Sequence, residues 1–268
     1  MSDDKKDIDE AVAKVWNENA AGWANSLRAG RDEFRTLLLD PNFARFIGDV
    51  KGKRVLDAGC GEGDSSRILA RNGAKVAAVD ISDAMLELAR GKEAREPLGI
   101  EYAKASMADL SIFPDRSFDA VVSTMAVMNS AHLAEEFREF LRVLRPGGIF
   151  AFSVRHPCFA TPAARVVTDK EAKRLALMVG EYFRDTPWAQ KVPLTTPGGA
   201  PAGSFTALRF PYTVSRYINE MIGAGFAIAE IEEPRPAAKD CQGRDWLDFW
   251  RTQAALYLFL KGTKPAER

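Results

Sequence analysis

The sequence predicts an α/β protein built on a doubly wound, mostly parallel sheet. Short apolar strands alternate with helices from residue 54 to residue 154, a pattern typical of parallel sheets with right-handed crossovers. A glycine-rich loop, GCGEG, follows the first of these strands and opens a helix. The 268 residues are 46% hydrophobic and 28% charged, which allows one large α/β domain with an additional segment such as a small lid.

Helices are predicted before the first strand. Apolar residues from Ile8 through Val12 and Trp16 to Trp23 keep helical spacing over about five turns. Asp40 and the proline after it are typical of an N-cap and a first helical residue. Residues 1–50 are therefore expected to form an N-terminal helical cap.

Five strands are predicted in the next hundred residues, which we expect to form the core from 51 to 156. A helix follows the glycine loop, Ser82 caps a second one, and a third carries Leu133, Phe137 and Phe140 on one face. The predicted strands span residues 54–58, 75–80, 100–103, 118–123 and 149–154.

The alternation stops at residue 157. Residues 157–212 hold seven of the 14 prolines and are too long for a plain connection, so an inserted lid over a binding site is expected. A helical stripe from Val214 to Ile222 follows, with strands near 226–233 and 254–261. Residues 213–268 are expected to complete the core.

Charge and cysteine content exclude several classes of protein. The 37 basic and 37 acidic residues cancel, whereas nucleic-acid surfaces usually show a basic excess, so no nucleic-acid partner is expected. The three cysteines lie far apart and match no metal-ligand spacing. The N-terminus is charged and no apolar run reaches membrane-spanning length, so a cytoplasmic protein without a membrane partner is expected.

The glycine loop carries the clearest chemical signal. Gly59, Gly61 and Gly63 permit a tight turn and let backbone N–H groups approach a ligand. A dinucleotide fingerprint would need glycine at position 64, where this chain has Asp64. Asp57, just before the loop, would repel a pyrophosphate but suits the ammonium of an amino-acid group.

A second acidic residue, Asp80, ends the second predicted strand, where a carboxylate can accept both hydroxyls of a ribose. The segments VLDAGCGEG, VAAVDIS, SFDAVVS and LRVLRPGG, in this order, resemble the class I S-adenosylmethionine (SAM)-dependent methyltransferases, notably the branch acting on small molecules. The resemblance covers about residues 10 to 155, and the last helix and two strands also fit. It implies a Rossmann-like, seven-stranded sheet whose last strand is antiparallel.

The resemblance implies SAM as cofactor and S-adenosylhomocysteine as product. Asp57 would orient the loop and the methionine amine, and Asp80 would bind the ribose. Where many relatives carry an acidic residue near the adenine, this chain has Ser106, so a hydroxyl and nearby backbone are expected to recognise the base. The other implied cofactor contacts are Trp16, Trp23, Gly59, Cys60, Gly61, Gly63, Ile81, Met85, Met107 and Met125.

Three of these residues have an equally good structural explanation. An aromatic face beside a sulfonium contributes roughly 0.5–2 kcal/mol, but Trp16 and Trp23 would also serve simply to anchor their helix. Met85 fits adenine contact and core packing about equally well. Both explanations stay open at this stage.

The acceptor side is less specified. His156 follows the fifth predicted strand and is the candidate general base, with a hydrogen-bonded strand-end histidine as the alternative. His132 is expected to be a surface or capping residue. Contacts to the acceptor are predicted for Asn129, Arg155, Phe159 and Tyr182.

The insertion also contributes aromatic and cationic side chains. Its aromatic residues would suit an aromatic or partly apolar acceptor, or would form a small core of the lid itself. Arg155, Arg165 and Arg209 are candidates for holding a carboxylate or phosphonate. No catalytic metal is expected, because STMAVMN after the fourth strand lacks the aspartate of metal-dependent O-methyltransferases.

The preferred hypothesis is a SAM-dependent transfer of a methyl group to an O, N or S atom of a small molecule, by a monomer or homodimer. RNA or protein methylation is disfavoured by the charge balance and by the absence of an NPPY-type motif. An NAD-dependent oxidoreductase is disfavoured by Asp64. A non-catalytic SAM-binding protein remains an alternative.

Overall fold

The computed structural model describes residues 3–28, 33–169, 171, 174–195 and 201–266, and its centre is a seven-stranded sheet. The strands are β1 (Arg54–Ala58), β2 (Lys75–Asp80), β3 (Glu101–Lys104), β4 (Phe118–Thr124), β5 (Leu144–Arg155), β10 (Ala227–Glu232) and β11 (Tyr257–Thr263).

Their order across the sheet is β10-β11-β5-β4-β1-β2-β3. The strands from β5 to β3 pair in parallel, whereas β11 is antiparallel to both β5 and β10. The predicted seven-stranded, mostly parallel sheet with an antiparallel last strand is therefore confirmed. Because the winding reverses between β1 and β4, the crevice at their carboxyl ends is where such sheets bind ligands.

Helices cover both faces of the sheet. Phe43, Phe46 and Phe259 belong to the core on one face, and Phe137 and Phe150 to the core on the other. The helices are α1 (Asp3–Arg28), α2 (Asp40–Ile47), α3 (Asp64–Arg71), α4 (Asp83–Arg95), α5 (Leu133–Val143), α6 (Val214–Ala224) and α7 (Asp245–Thr252), with a π-helical segment at Arg35–Leu39.

Local details of two predicted caps differ. Ser82 caps α4 as predicted, since its hydroxyl accepts a hydrogen bond from Met85 N at 3.2 Å. The N-cap prediction for Asp40 is wrong: its backbone is already helical because the preceding π-helical segment runs directly into α2. The Asp40 carboxylate pairs instead with Arg35 at 3.3 Å.

The insertion after β5 forms two antiparallel hairpins, β6 (Arg165–Thr168) with β7 (Arg174–Met178), and β8 (Trp188–Thr195) with β9 (Pro201–Arg209). Strand β9 lies against α1, where Asn19 Nδ2 donates to Thr206 O at 2.6 Å. Residues 170, 172, 173 and 196–200 of the predicted insertion lie outside the described part. No helix among the described residues is long and apolar enough to cross a membrane.

Candidate functional site

A cleft of about 1220 Å³, including the part open to solvent, lies at the carboxyl ends of β1, β2 and β4. The loop after β1, the beginning of α4 and the segment after β4 form its base, and α1 and β9 form its outer wall. It coincides with the point where the sheet's winding reverses, and most of the predicted cofactor contacts line it.

The glycine loop is tied to the end of the neighbouring strand. Gly59 N and Cys60 N both donate to Val79 O at 2.9 Å. Gly59 has φ +74, and a Cβ there would lie 2.4 Å from Cβ of Ala126, so this position requires glycine. Gly61 has φ +55, it lines the cleft, and a Cβ there would have open space around it.

Gly63 has a packing role that the sequence did not indicate. It does not line the cleft, and a Cβ there would lie 2.4 Å from Tyr102 Oη. Its φ is +85, directly before α3 begins. The position therefore needs glycine for the tight turn and for close packing of α3 beside β3, and its cofactor contact stays a prediction.

Asp57 has an unsatisfied oxygen at the bottom of the cleft. The residue is fully buried, Ser66 Oγ donates to its Oδ2 at 2.5 Å, and its Oδ1 has no partner among the described residues. Burial raises the pKa of Asp57 to about 6, while Ser66 and the Arg35 charge oppose the shift. A cationic ligand group beside Oδ1 would supply the missing partner.

Asp80 holds the loop and still has acceptor capacity. Its Oδ2 accepts from Gly61 N at 2.8 Å, and its Oδ1 accepts from Ser82 N at 2.9 Å. Burial raises the pKa of this carboxyl, and the backbone donors oppose that shift. Because a carboxylate offers about four acceptor positions, both oxygens retain room for a diol.

The side predicted to hold an adenine is apolar with one hydroxyl. Ile81, Met85 and Met107 line the cleft, and Met85 is almost fully buried, so it also packs in the core. Ser106 Oγ accepts from Ala108 N at 3.3 Å. No acceptor for its hydroxyl proton occurs among the described residues, so the proton can be donated to a ligand, which suits the hydroxyl-based recognition predicted for this position.

Three aromatic rings form one side of the cleft. Trp16 and Trp23 meet edge to face at 6.1 Å between ring centroids, and Phe205 of β9 lies 5.2 Å from Trp23 and 6.3 Å from Trp16. All three line the cleft. The two tryptophans thus anchor α1 on the insertion, and they also line the cleft. Helix anchoring and contact with the cofactor, the two roles left open by the sequence, are therefore compatible.

The guanidinium of Arg209 lies at the end of the cleft beyond Met125. Asn129 Nδ2 donates to Met125 O at 3.0 Å, and Asn129 Oδ1 accepts from Arg209 Nη1. Arg209 Nε donates to Gln190 Oε1 at 2.8 Å. Burial, with a smaller contribution from the Arg155 charge, lowers the pKa of Arg209 to about 10.

Two carboxyls occupy the wall formed by α1 and α5. Glu136 is 1% exposed, lines the cleft and has no partner for Oε2 among the described residues. Burial raises the pKa of Glu136 to about 8, with the Asp9 charge adding to the shift and Ser130 opposing it. His132 is the N-cap residue of α5, as one of the two predicted alternatives had it, although its side chain makes no capping hydrogen bond. Its ring is buried with Nε2 3.3 Å from Asp9 Oδ1 of α1, so the surface alternative is wrong.

Four predicted acceptor-side residues lie outside the cleft lining. His156 is buried, its Nε2 lies 2.7 Å from Glu233 Oε1, and its Nδ1 accepts from Cys158 N at 3.2 Å. Burial lowers the pKa of His156, and Glu233 opposes the shift. The other three make their contacts elsewhere: Phe159 against the His156 ring, Arg155 over Trp250 and Tyr257, and Tyr182 Oη on Val214 N.

Asp9 and Glu136 are cleft residues that the sequence reasoning missed. Both are acidic residues at helical spacing with apolar ones: Glu136 lies three residues after Leu133 and four before Phe140, and Asp9 three before Val12. A carboxylate on an apolar helix face was the available signal. No group of three or more metal-ligating side chains occurs in the described part of the chain.

Comparison with known proteins shows similarity to methyltransferases. Residues 56–152 match a family model described as a methyltransferase domain. The structure of a SAM-dependent methyltransferase from Mesorhizobium loti is 29% identical, with a TM-score of 0.66, covering 83% of this chain and 96% of that one. Residues 56–152 thus form a methyltransferase domain, and the chain is similar to a SAM-dependent methyltransferase over most of its length.

Curated methyltransferases match over shorter stretches. A demethylmenaquinone methyltransferase of Clavibacter sepedonicus is 41% identical over 104 residues, covering 39% of this chain and 42% of that protein. A fatty-acid O-methyltransferase of Mycolicibacterium smegmatis is 37% identical over 120 residues, covering 42% of this chain and 41% of that protein. The chain thus spans about half the length, or less, of the curated relatives that it matches.

The cleft fits SAM. The unpartnered Asp57 Oδ1 matches the amine of its methionine part, and the open space at Gly61 leaves room for a ligand against the backbone. Asp80 and the apolar side around Met85 match a ribose and an adenine. The donor set and the shape of the loop therefore suit the cofactor of the family.

A Gly61→Ala substitution should reduce SAM affinity with little effect on folding. The added Cβ meets no protein atom, so only the positive φ is strained, at roughly 1–2 kcal/mol. We expect SAM affinity to fall at least about tenfold, because the methyl occupies the cleft. Gly52→Ala is the matched control, with φ +74 and equally open space away from the cleft. Isothermal titration of both variants is the measurement, and equal SAM affinity in the two would contradict the assignment.

Proposed function

We propose that this protein is a SAM-dependent methyltransferase acting on a small-molecule acceptor. The observation that carries the proposal is the pair of carboxylates beside one glycine loop, Asp57 near the end of β1 and Asp80 at the end of the adjacent β2. Asp57 offers an unpartnered oxygen to an amine, and Asp80 offers acceptor sites to a diol. No dinucleotide would use Asp57 in this way.

The residues of the cleft bind and orient SAM, and they exclude water from it. Bound SAM supplies an electrophilic methyl group on a sulfonium centre. Asp57, Asp80 and the loop backbone fix its two ends, and positioning of this kind can account for much of a methyl-transfer rate enhancement. Trp16, Trp23 and Phe205 cover the cleft with apolar surface, which keeps water from the reacting groups.

A small acceptor is favoured over RNA or protein. The chain has zero formal net charge, so it lacks the basic excess of most nucleic-acid enzymes. The outer wall of the cleft is closed by α1 and β9, which touch through Asn19 and Thr206. The curated relatives named above are, by their names, enzymes for small molecules.

The general-base role of His156 remains a prediction. In the described geometry Nδ1 accepts a backbone hydrogen bond, so Nε2 carries the proton and faces Glu233. A base role would require a different arrangement of residues 156–160. His156→Ala tests it: reduced turnover with unchanged SAM affinity would support the role, and unchanged turnover would remove it.

Isothermal titration with SAM and S-adenosylhomocysteine tests the cofactor half of the proposal. We expect saturable binding of both, and no competition from NADH. Absence of binding at millimolar SAM, or displacement of SAM by NADH, would contradict the proposal.

A further inference from the structure

We propose that the acceptor carries a carboxylate, which Arg209 binds at the end of the cleft beyond Met125. This inference rests on the proposed function and deepens it by naming a chemical class of acceptor. It starts from the position of Arg209 on β9. Phe205, Ala207 and Arg209 alternate along that strand, and the first two are buried, so the arginine faces inward with them.

The Arg209 guanidinium has amide partners but no counter-charge. Its Nη1 and Nε donate to the side-chain oxygens of Asn129 and Gln190, and Nη2 has no hydrogen-bond partner among the described residues. No carboxylate of the described chain lies within ion-pair distance of it, and the neighbouring charge that acts on it is another cation, Arg155. Since an unpaired cation in a partly desolvated site is destabilising, a ligand carboxylate is the partner that would relieve it.

The rest of the cleft selects against a doubly charged anion. The carboxylates of Asp9, Asp57 and Asp80 line it, so each further negative charge on the ligand adds repulsion. A carboxylate brings one charge and is planar, as the guanidinium is, so two parallel hydrogen bonds can form. A carboxylate is therefore favoured over a phosphonate or phosphate.

The apolar lining of the cleft indicates the chemistry of the rest of the acceptor. Trp16, Trp23 and Phe205 present ring surface to the same cleft, and Met128 and Tyr257 line it as well. Large apolar side chains around one cation favour an acid with an aromatic or other apolar body. Such a molecule would place its carboxylate on Arg209 and its apolar part against the rings.

The test uses the full chain saturated with S-adenosylhomocysteine and matched probe pairs: phenylacetate with phenylacetamide, cinnamate with cinnamamide, and phenylphosphonate. Affinity is measured by titration calorimetry. We expect at least one carboxylate to bind about tenfold or more tightly than its amide. Arg209→Gln should abolish that preference. Arg184→Gln, which removes an exposed charge of the same insertion paired with Glu181, should leave it unchanged.

A second variant guards against misfolding of Arg209→Gln. Asn129→Asp places a carboxylate on Arg209 within the protein, so it should reduce the carboxylate preference. Because the substitution also removes the hydrogen bond from Nδ2 to Met125 O, thermal unfolding is measured to show that the variant is folded. Equal binding of acid and amide, tighter binding of phenylphosphonate, a preference that survives in Arg209→Gln, or no binding by any probe would overturn the inference. Failure of S-adenosylhomocysteine itself to bind would instead count against the proposed function.

Discussion

Replacing Asp57 with Asn should weaken SAM binding about 100-fold while the protein stays folded. The buried Oδ1 loses its charge opposite the ligand amine, and a charge-assisted hydrogen bond of this kind is worth about 2–3 kcal/mol. Stability at pH 7 should be unchanged or slightly higher, because burial disfavours the charged form of this carboxyl. Isothermal titration and thermal unfolding measure the two effects.

Asp119→Asn is the matched control. Asp119 follows Phe118 at the beginning of β4, where it accepts from Arg54 N and pairs with Arg145, and it does not line the cleft. These partners lower the pKa of Asp119 against the effect of burial, so its loss should reduce stability and leave SAM affinity unchanged. Unchanged SAM affinity in Asp57→Asn would contradict the role given to Asp57.

The same carboxyl predicts a pH dependence. In the unliganded protein the pKa of Asp57 is about 6, so below that pH the carboxyl is protonated and offers no charge to an amine. SAM affinity of the wild type should therefore decrease as the pH falls from 7 to 5, with proton release on binding near pH 6. In Asp57→Asn the affinity should be nearly flat over this range. A parallel decrease in both proteins would assign the effect to another group.

Replacing Glu136 with Gln should stabilise the protein at alkaline pH. Burial raises the pKa of Glu136 from 4.5 to about 8, so between these values the folded state binds a proton that the unfolded state has released. Stability contributed by this group is therefore lost as the pH rises through that range, and the loss is complete above pH 8. Glutamine resembles the protonated form and has no such loss.

The groups around Glu136 set the size of this effect. Asp9 from α1 and Glu135 from its own helix carry negative charge, Ser130 donates to it, and the hydroxyls of Tyr212 and Tyr217 lie close enough to interact. We expect Glu136→Gln to gain roughly 2–4 kcal/mol over the wild type at pH 8.5 and far less at pH 5. Urea unfolding at both values is the measurement.

Glu139→Gln provides a control of opposite sign on the same helix. Glu139 pairs with Arg142 at 2.8 Å and accepts from Leu110 N, and these contacts lower its pKa. Its substitution should therefore reduce stability above pH 5. If Glu136→Gln instead changed stability equally at pH 5 and pH 8.5, the buried, protonated state of Glu136 would be wrong.

The cofactor side of the cleft was predictable because its determinants are local. The glycine loop, Asp57 and Asp80 follow directly from two short apolar strands that lie side by side and in parallel. Parallel strands bring their carboxyl ends to one edge, so residues 23 positions apart in the sequence meet without any knowledge of distant packing. Helical spacing likewise placed Trp16 and Trp23 on one face.

The acceptor side was not predictable in the same way because its neighbours come from remote segments. His156 does follow a sheet strand, but Glu233, 77 residues later, occupies its Nε2. Arg209 meets Asn129 across 80 residues, through a hairpin whose path the proline content did not indicate. His132 is buried beside Asp9 of α1, more than 120 residues earlier in the chain. Strand order at the sheet edge and the path of an insertion depend on tertiary contacts, so they cannot be predicted from the periodicity of apolar residues.

Methyl transfer itself gives the most direct test of the account. The protein is incubated with SAM carrying a radiolabelled methyl group and a protein-free, nucleic-acid-free metabolite extract, and the products are separated by chromatography. We predict label in a small-molecule fraction with release of S-adenosylhomocysteine, strongly reduced in Asp57→Asn and undiminished in Asp119→Asn. Label confined to added RNA or protein, or no label from a protein shown to bind SAM, would contradict a small-molecule methyltransferase.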